Sequence, residues 1–387
     1  MHITEAHVTE AHGTEAHGTA ALAEGDRVMT VCNSCRYCEG LCAVFPAMEM
    51  RRAFPDGDLS YLANLCHNCG ACFYDCQFAP PHEFNVNVPV TLARIRAESY
   101  ARYAWPRFLS PLFAKNAVAV FLAACISLVG FLAGLALANP HILFLAHTGP
   151  GAFYVLMAHN AMVGLFGFFF LAALAALGAS LANFWRDISE PAATLASPTF
   201  LAVAANDAIR LRYLDGGGPG CMNKEERPTD RRAIFHHLTF WGFALCFAAT
   251  CVGTIYHYGF GREAPYPWWD LPVVLGTLGG IGLVIGTPGL FLAKLHRDPT
   301  IADRNSLGMD CAFIAMLFAT GLSGLILLIF RATPAMGVLL AIHLGFVFAV
   351  LLTFAYGKFV HGLYRFAALV RYARERRALA PASAADD

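Results

Sequence analysis

Six apolar stretches in succession limit what this chain can fold into. They lie near 116–138, 153–183, 234–257, 271–294, 309–330 and 335–364, each reaching the ~20 residues a helix needs to cross a hydrocarbon core of about 30 Å. A segment in lipid must satisfy its own backbone, and no period-two alternation runs through these stretches, so they read as helices rather than barrel strands. Composition agrees, with 57% of the 387 residues hydrophobic and 14% charged, against about 25% charged in a soluble domain. Lys+Arg and Asp+Glu number 27 each. That zero net charge by itself says nothing of nucleic acid, and the information lies in where the charges sit; the expected partner is membrane lipid, with no nucleic acid.

The segment 184–233 carries Arg186, Arg210, Arg212, Lys224, Arg227, Arg231 and Arg232, and the tail carries Arg365, Arg371, Arg374, Arg376 and Arg377. Between spans on the other side, 139–152 holds no Lys or Arg, and Arg262 and Arg331 stand alone. Basic loops stay inside. A multi-pass protein of the bacterial cytoplasmic membrane is therefore expected, with both termini in the cytoplasm. The expected domains are a disordered tail over 1–26, a soluble domain and linker over 27–108, a membrane domain over 109–366 with a cytoplasmic loop at 184–233, and a cytoplasmic tail over 367–387. The start lacks a basic region followed by an apolar run, so no signal peptide is read there. Its period-five repeat, "TEAHVTEAHGTEAHGT", spaces His2, His7, His12 and His17 about 140° apart on a helix, which does not gather them. Within 184–233, Ser197 and Pro198 start an expected interfacial helix, and "DGGGPGC" either approaches a partner or cofactor closely or forms a mobile turn.

Eight of the 13 cysteines crowd between 32 and 76. "CNSCRYCEGLC" and "CHNCGACFYDC" share the spacing C-x2-C-x2-C-x3-C, which is the signature of two-cluster bacterial ferredoxins. In that arrangement the fourth cysteine of each run ligates the other cluster. One 4Fe-4S cluster is thus expected on Cys32, Cys35, Cys38 and Cys76, the second on Cys66, Cys69, Cys72 and Cys42. Zinc is the alternative, but its sites need four ligands in two pairs, and a third cysteine at the next x2 step is surplus to them. Proline does not directly follow Cys42 or Cys76; Pro46 and Pro80 come four residues later. Cys125, Cys246, Cys251 and Cys311 read as packing residues within the spans.

Histidines inside lipid are costly and usually functional. His343 and His361 are eighteen residues apart, five full turns of one helix and ~27 Å. His236 and His257 stand ~31 Å apart on the third span, within about 60° of one face, with His237 facing nearly opposite His257. Two helices with a histidine near each surface can hold haem b by bis-histidine ligation, one or two haems in all. The expected pairs are His236 with His361 at the cytoplasmic end and His257 with His343 at the outer end. His159 and His237 are alternates, His159 also as a lining of a quinone pocket.

With both cysteine runs, "PPHEFNVNVP", "RRAIFHHLTFWGF", "GGGPGC" and "YGKFVHGLYR", the chain resembles the tricarballylate utilization protein B family from about residue 28 to 378. These CitB-type membrane iron-sulfur proteins are also similar to the C-terminal part of the fused cobalamin-biosynthesis protein CobZ. The last helix further resembles the haem-bearing helix of the nitrate reductase gamma subunit. The resemblance implies an electron-transfer subunit that reoxidises an FAD-containing tricarballylate dehydrogenase, passing electrons through two 4Fe-4S clusters and haem b to the quinone pool. No G-x-G-x-x-G stands at a strand-to-helix turn, so FAD is assigned to the partner. The overall expectation is an α-helical membrane protein, with a six-helix haem-binding bundle and an N-terminal two-cluster bacterial ferredoxin-like domain, and with no catalytic acid-base pair or nucleophile. Two rivals are electron flow in reverse, from quinol to a cytoplasmic reductase, and a tricarboxylate transporter with a redox-sensing head. The transporter predicts interrupted half-helices, for which Gly279, Gly280, Gly282, Gly286 and Pro288 are the only hint; close helix packing is the other reading of those glycines.

Overall fold

The structure is a computed structural model that describes residues 17–138, 140–218 and 220–379. Most of the period-five repeat, with His2, His7 and His12, lies outside the described residues. His17 lies within them, its Nδ1 2.8 Å from Asp56 Oδ1.

Helices carry the N-terminal part: Ala20–Cys35, Val44–Glu49, Asp56–Leu65, Ala71–Tyr74 and Val88–Tyr103. The first begins inside the segment expected to be disordered, because Thr19 caps it by accepting the Leu22 amide and its buried face (Leu22, Gly25, Val28, Met29) has a core to enter. Helix Val88–Tyr103 starts where the Asn87 side chain accepts the Val90 amide and Pro89 sits in the first turn. Leu59, Leu62, Leu92 and Ile95 pack with Phe184, Tyr364 and Val370 in one continuous core. The thiol-bearing domain is therefore fused, by burial, to the Phe184 end of the second span and to the last helix.

Among the described residues, six helices are long and apolar enough to cross a membrane. They are Asn116–Ala138, His159–Asp187, Arg231–Phe260, Leu271–Leu295, Leu307–Phe330 and Met336–Thr353. Their outward faces expose large apolar side chains such as Ile126, Phe168 and Ile255, far more than a water-facing surface carries. Two boundaries differ from the hydropathy reading. The second span begins at His159, because Ala152–Leu156 forms a separate short helix and Met157 is extended. The sixth is not one helix over 335–364: it ends at Thr353, turns through Phe354–Tyr356 and the extended Gly357, and a new helix runs Val360–Leu379. Asn116 Nδ2 donates to the Tyr356 carbonyl at 2.6 Å, satisfying a group that the break frees.

Leu271–Leu295 is continuous through Pro288, so the interruption that a transporter would need there is absent. Its glycines are a contact surface. A Cβ on Gly279 would come within 2.8 Å of the Gly242 carbonyl, and one on Gly282 within 2.9 Å of the Leu238 carbonyl. Backbone therefore lies directly on backbone between the third and fourth spans.

The segments divide between two ends. At one end are the thiol domain, segment 188–230, the turns after Leu295 and the C-terminal helix. Helix Pro198–Ile209 does not lie free at an interface; it packs on the C-terminal helix, with Asp207 buried and 3.6 Å from Arg376. At the other end the short connections touch: Gly151 N–H donates to Ala264 O (2.9 Å) and Arg331 Nη1 to Tyr266 O (2.6 Å).

Candidate functional site

The first cysteine run closes a helix. Cys32 and Cys35 occupy its last turn, and Arg36, left-handed at φ 54°, returns its N–H to Cys32 O, which swings Cys38 back toward the other two. Cys42 then precedes helix Val44–Glu49. In the second run Cys66 ends helix Asp56–Leu65, and Asn68 and Gly70 take positive φ (54° and 91°) so that Cys69 and Cys72 double back. The Asn68 N–H points at Cys66 Sγ, 3.3 Å away.

Folding sorts the eight thiols across the two runs. Cys32 is surrounded by Cys38, Cys76 and Cys35. Cys42 faces Cys66 and Cys69, and Cys72 faces Cys69, Cys42 and Cys66. Burial, then neighbouring thiols, pushes Cys32 and Cys38 up to about 12, so without a cation these thiols stay protonated at neutral pH. A cavity of about 260 Å³ opens between Cys32, Cys35, Cys38, Cys72 and Cys76. Among the described residues no three donors converge closely enough for a single metal ion; a four-iron cube, wider than one ion, is the group that the set and the cavity fit. Cys72 borders this cavity and also the second set, so the two sets adjoin.

The glycine loop left open above lies against the second set. A Cβ on Gly216 would stand 3.6 Å from Cys69 Sγ, and Met222 N–H donates to Cys69 O at 2.9 Å. It also brings a ninth thiol, the buried Cys221, beside Cys69. Its spacing from both runs hides Cys221 in the sequence.

His236 and His361 come together, with ring centroids 6.3 Å apart and planes at 85°. Two imidazoles on opposite sides of one iron sit roughly 6 Å apart, from two metal–nitrogen bonds of about 2 Å plus about 1 Å into each ring. His361 Nδ1 contacts Lys358 O at 2.5 Å, which fixes the tautomer with Nε2 free, as in a metal-ligating histidine. His236 Nδ1 is buried with no partner among the described residues. The pair fits a shared haem iron. His237 makes no such approach to His361.

The outer pairing differs from expectation. His257 stacks on His159 (3.6 Å between centroids, planes at 17°), with Tyr154 edge-on to both. His343 turns instead to Ser323, Nδ1 to Oγ 3.1 Å, and lies over Gly324. His257 and His343 are therefore not partners. The five-turn relation of His343 to His361 fails because the helix breaks at 354–359, so the two rings belong to different helices. At 3.6 Å the stacked His159 and His257 rings leave no room for an iron between them.

The fold and its thiol-rich head define a class, a membrane-helix protein with an iron-sulfur electron-transfer domain. The chain belongs to the citrate utilization protein B family, whose model matches residues 111–382 and whose Fer4-like domain model matches 25–102. It is similar to Citrate utilization protein B of Escherichia coli, 48% identical over 371 residues, covering 94% of this chain and 95% of that one. No solved structure matches it.

Proposed function

We propose that this protein carries electrons from a cytoplasmic flavin-dependent dehydrogenase of a tricarboxylate, tricarballylate, to quinone in the bacterial cytoplasmic membrane. Cys32, Cys35, Cys38 and Cys76 hold one 4Fe-4S cluster, Cys42, Cys66, Cys69 and Cys72 the second, and His236 and His361 a single haem b. These groups supply one-electron chemistry; the chain's part is to ligate them, space them and keep water from the inner two. Both termini and the thiol domain face the cytoplasm, where thiols stay reduced.

The supporting observation is the serial order of the donor sets. The first thiol set borders an open cavity beside the exposed Tyr37. Cys72 adjoins both sets, and Arg365, which donates to Cys66 O at 2.8 Å, lies one helical turn after His361. Anaerobically purified protein should contain about eight iron and eight acid-labile sulfide per chain and give a b-type band in its reduced-minus-oxidised spectrum. Zinc in place of iron, or a colourless protein after reconstitution, refutes the proposal.

A further inference from the structure

Four arginines from four separate elements converge on one short backbone segment. Arg96 Nη1 donates to Ala63 O (3.1 Å) and Cys66 O (2.6 Å), and Arg365 donates to Asn64 O (3.3 Å) and Cys66 O (2.8 Å). Arg232 Nη1 donates to Asn68 O (2.8 Å); Arg297 Nη2 donates to Asn68 O (2.9 Å) and Ile301 O (3.3 Å). The segment they grip, 63–68, carries Cys66 and leads into Cys69.

Other inward-facing arginines here are neutralised. Arg51 lies 3.1 Å from Asp58 and 2.6 Å from Glu375, and Arg371 lies 2.7 Å from Asp58. The four at 63–68 are held by carbonyls, and among the described residues they form no ion pair. Asp310 acts on Arg297 but is already claimed by Lys294 and by Lys358. Burial and repulsion from neighbouring arginines push Arg297 and Arg365 down to about 10, still well above neutral pH. The four are half-buried, and grouping cations without carboxylate partners is unfavourable unless an anion is there to meet them. The other thiol set has the opposite surroundings: Asp75 acts on Cys38, and Arg36 is exposed and turned to Asn33 O (3.0 Å).

We propose that Arg96, Arg232, Arg297 and Arg365 form a fixed positive wall that sets the centre on Cys42, Cys66, Cys69 and Cys72 at a higher reduction potential than the centre on Cys32, Cys35, Cys38 and Cys76, giving the relay an inward direction. Local charge, hydrogen bonding and exposure set the potential of such a centre. An electron passed inward makes the Cys66 side one unit more negative and the Cys32 side one unit less, with no bond or proton changed; the wall stabilises that added charge. Donor and acceptor remain the reduced flavin and the quinone, and the inference rests on the two thiol sets holding clusters.

Arg297 and Arg96 test it, because neither lies on a helix that carries His236 or His361. Full-length protein in detergent, with Arg297→Gln, Arg96→Gln and Arg297→Lys, is titrated anaerobically with EPR detection of both centres; Arg94→Gln, an exposed arginine, is the control. The higher midpoint should fall in both glutamine variants and recover in Arg297→Lys, while the lower midpoint and the control stay at their wild-type values. No shift in either glutamine variant, or a shift of the lower midpoint alone, overturns the wall. Wild-type protein lacking iron and sulfide would overturn the cluster reading instead, and the same iron assay separates the two failures.

Discussion

At the scale of single residues, His361 owes its role to the turn before it. The Lys358 carbonyl at its Nδ1 orients the ring toward His236, and no other histidine among the described residues meets that partner. His236→Ala and His361→Ala should each abolish the b-type absorption band, whereas His237→Ala and His343→Ala should retain it, as read in reduced-minus-oxidised spectra. Loss of the band in His343→Ala with its survival in His236→Ala would overturn the assignment. For the thiols, Cys42→Ala should lower iron from about eight to about four per chain, because Cys42 faces Cys66 and Cys69 of the other run. The cysteines were legible in sequence since their spacing is a local property of tight turns. The His236–His361 pair was legible too, from one histidine near the same end of each helix; the outer partners were not, since which ring meets which there depends on where a helix ends.

At the scale of elements, the third and fourth spans touch through glycine, and that contact fixes where His236 stands. Gly279→Leu forces a side chain against the Gly242 carbonyl and the Cys246 amide, groups that cannot move aside. Overpacking of this kind costs about 1–3 kcal/mol, seen as a lower melting temperature in detergent, with loss of the haem band before loss of the clusters. The break after Thr353 is the element that hydropathy missed. A run of apolar residues reports suitability for lipid, while continuity of a helix depends on whether freed carbonyls find other donors, as Tyr356 O finds Asn116. The C-terminal helix Val360–Leu379 ties the head to the bundle through Glu375, which receives Arg51 and Arg371. Glu375→Ala removes that carboxylate while Asp58 still faces both guanidiniums, and should cost about 1.5–3 kcal/mol. Limited proteolysis would read it as earlier release of the N-terminal domain.

At the scale of the whole molecule, every basic segment gathers at the end that carries the thiols, and the short connections at 261–270 and 331–335 meet at the other. A reporter fused after residue 379 should be active only in the cytoplasm and one inserted at 139–152 only outside; the reverse pattern would refute the orientation. The sequence by itself determined the number of spans, the basic asymmetry and the two thiol runs, because composition and short-range spacing are written along the chain. Only the tertiary structure decided that His257 stacks on His159, that Cys221 and the glycine loop cover Cys69, and that four arginines from distant elements close on residues 63–68. Those are long-range contacts, made by where helices stop and which faces meet, and no local pattern encodes them.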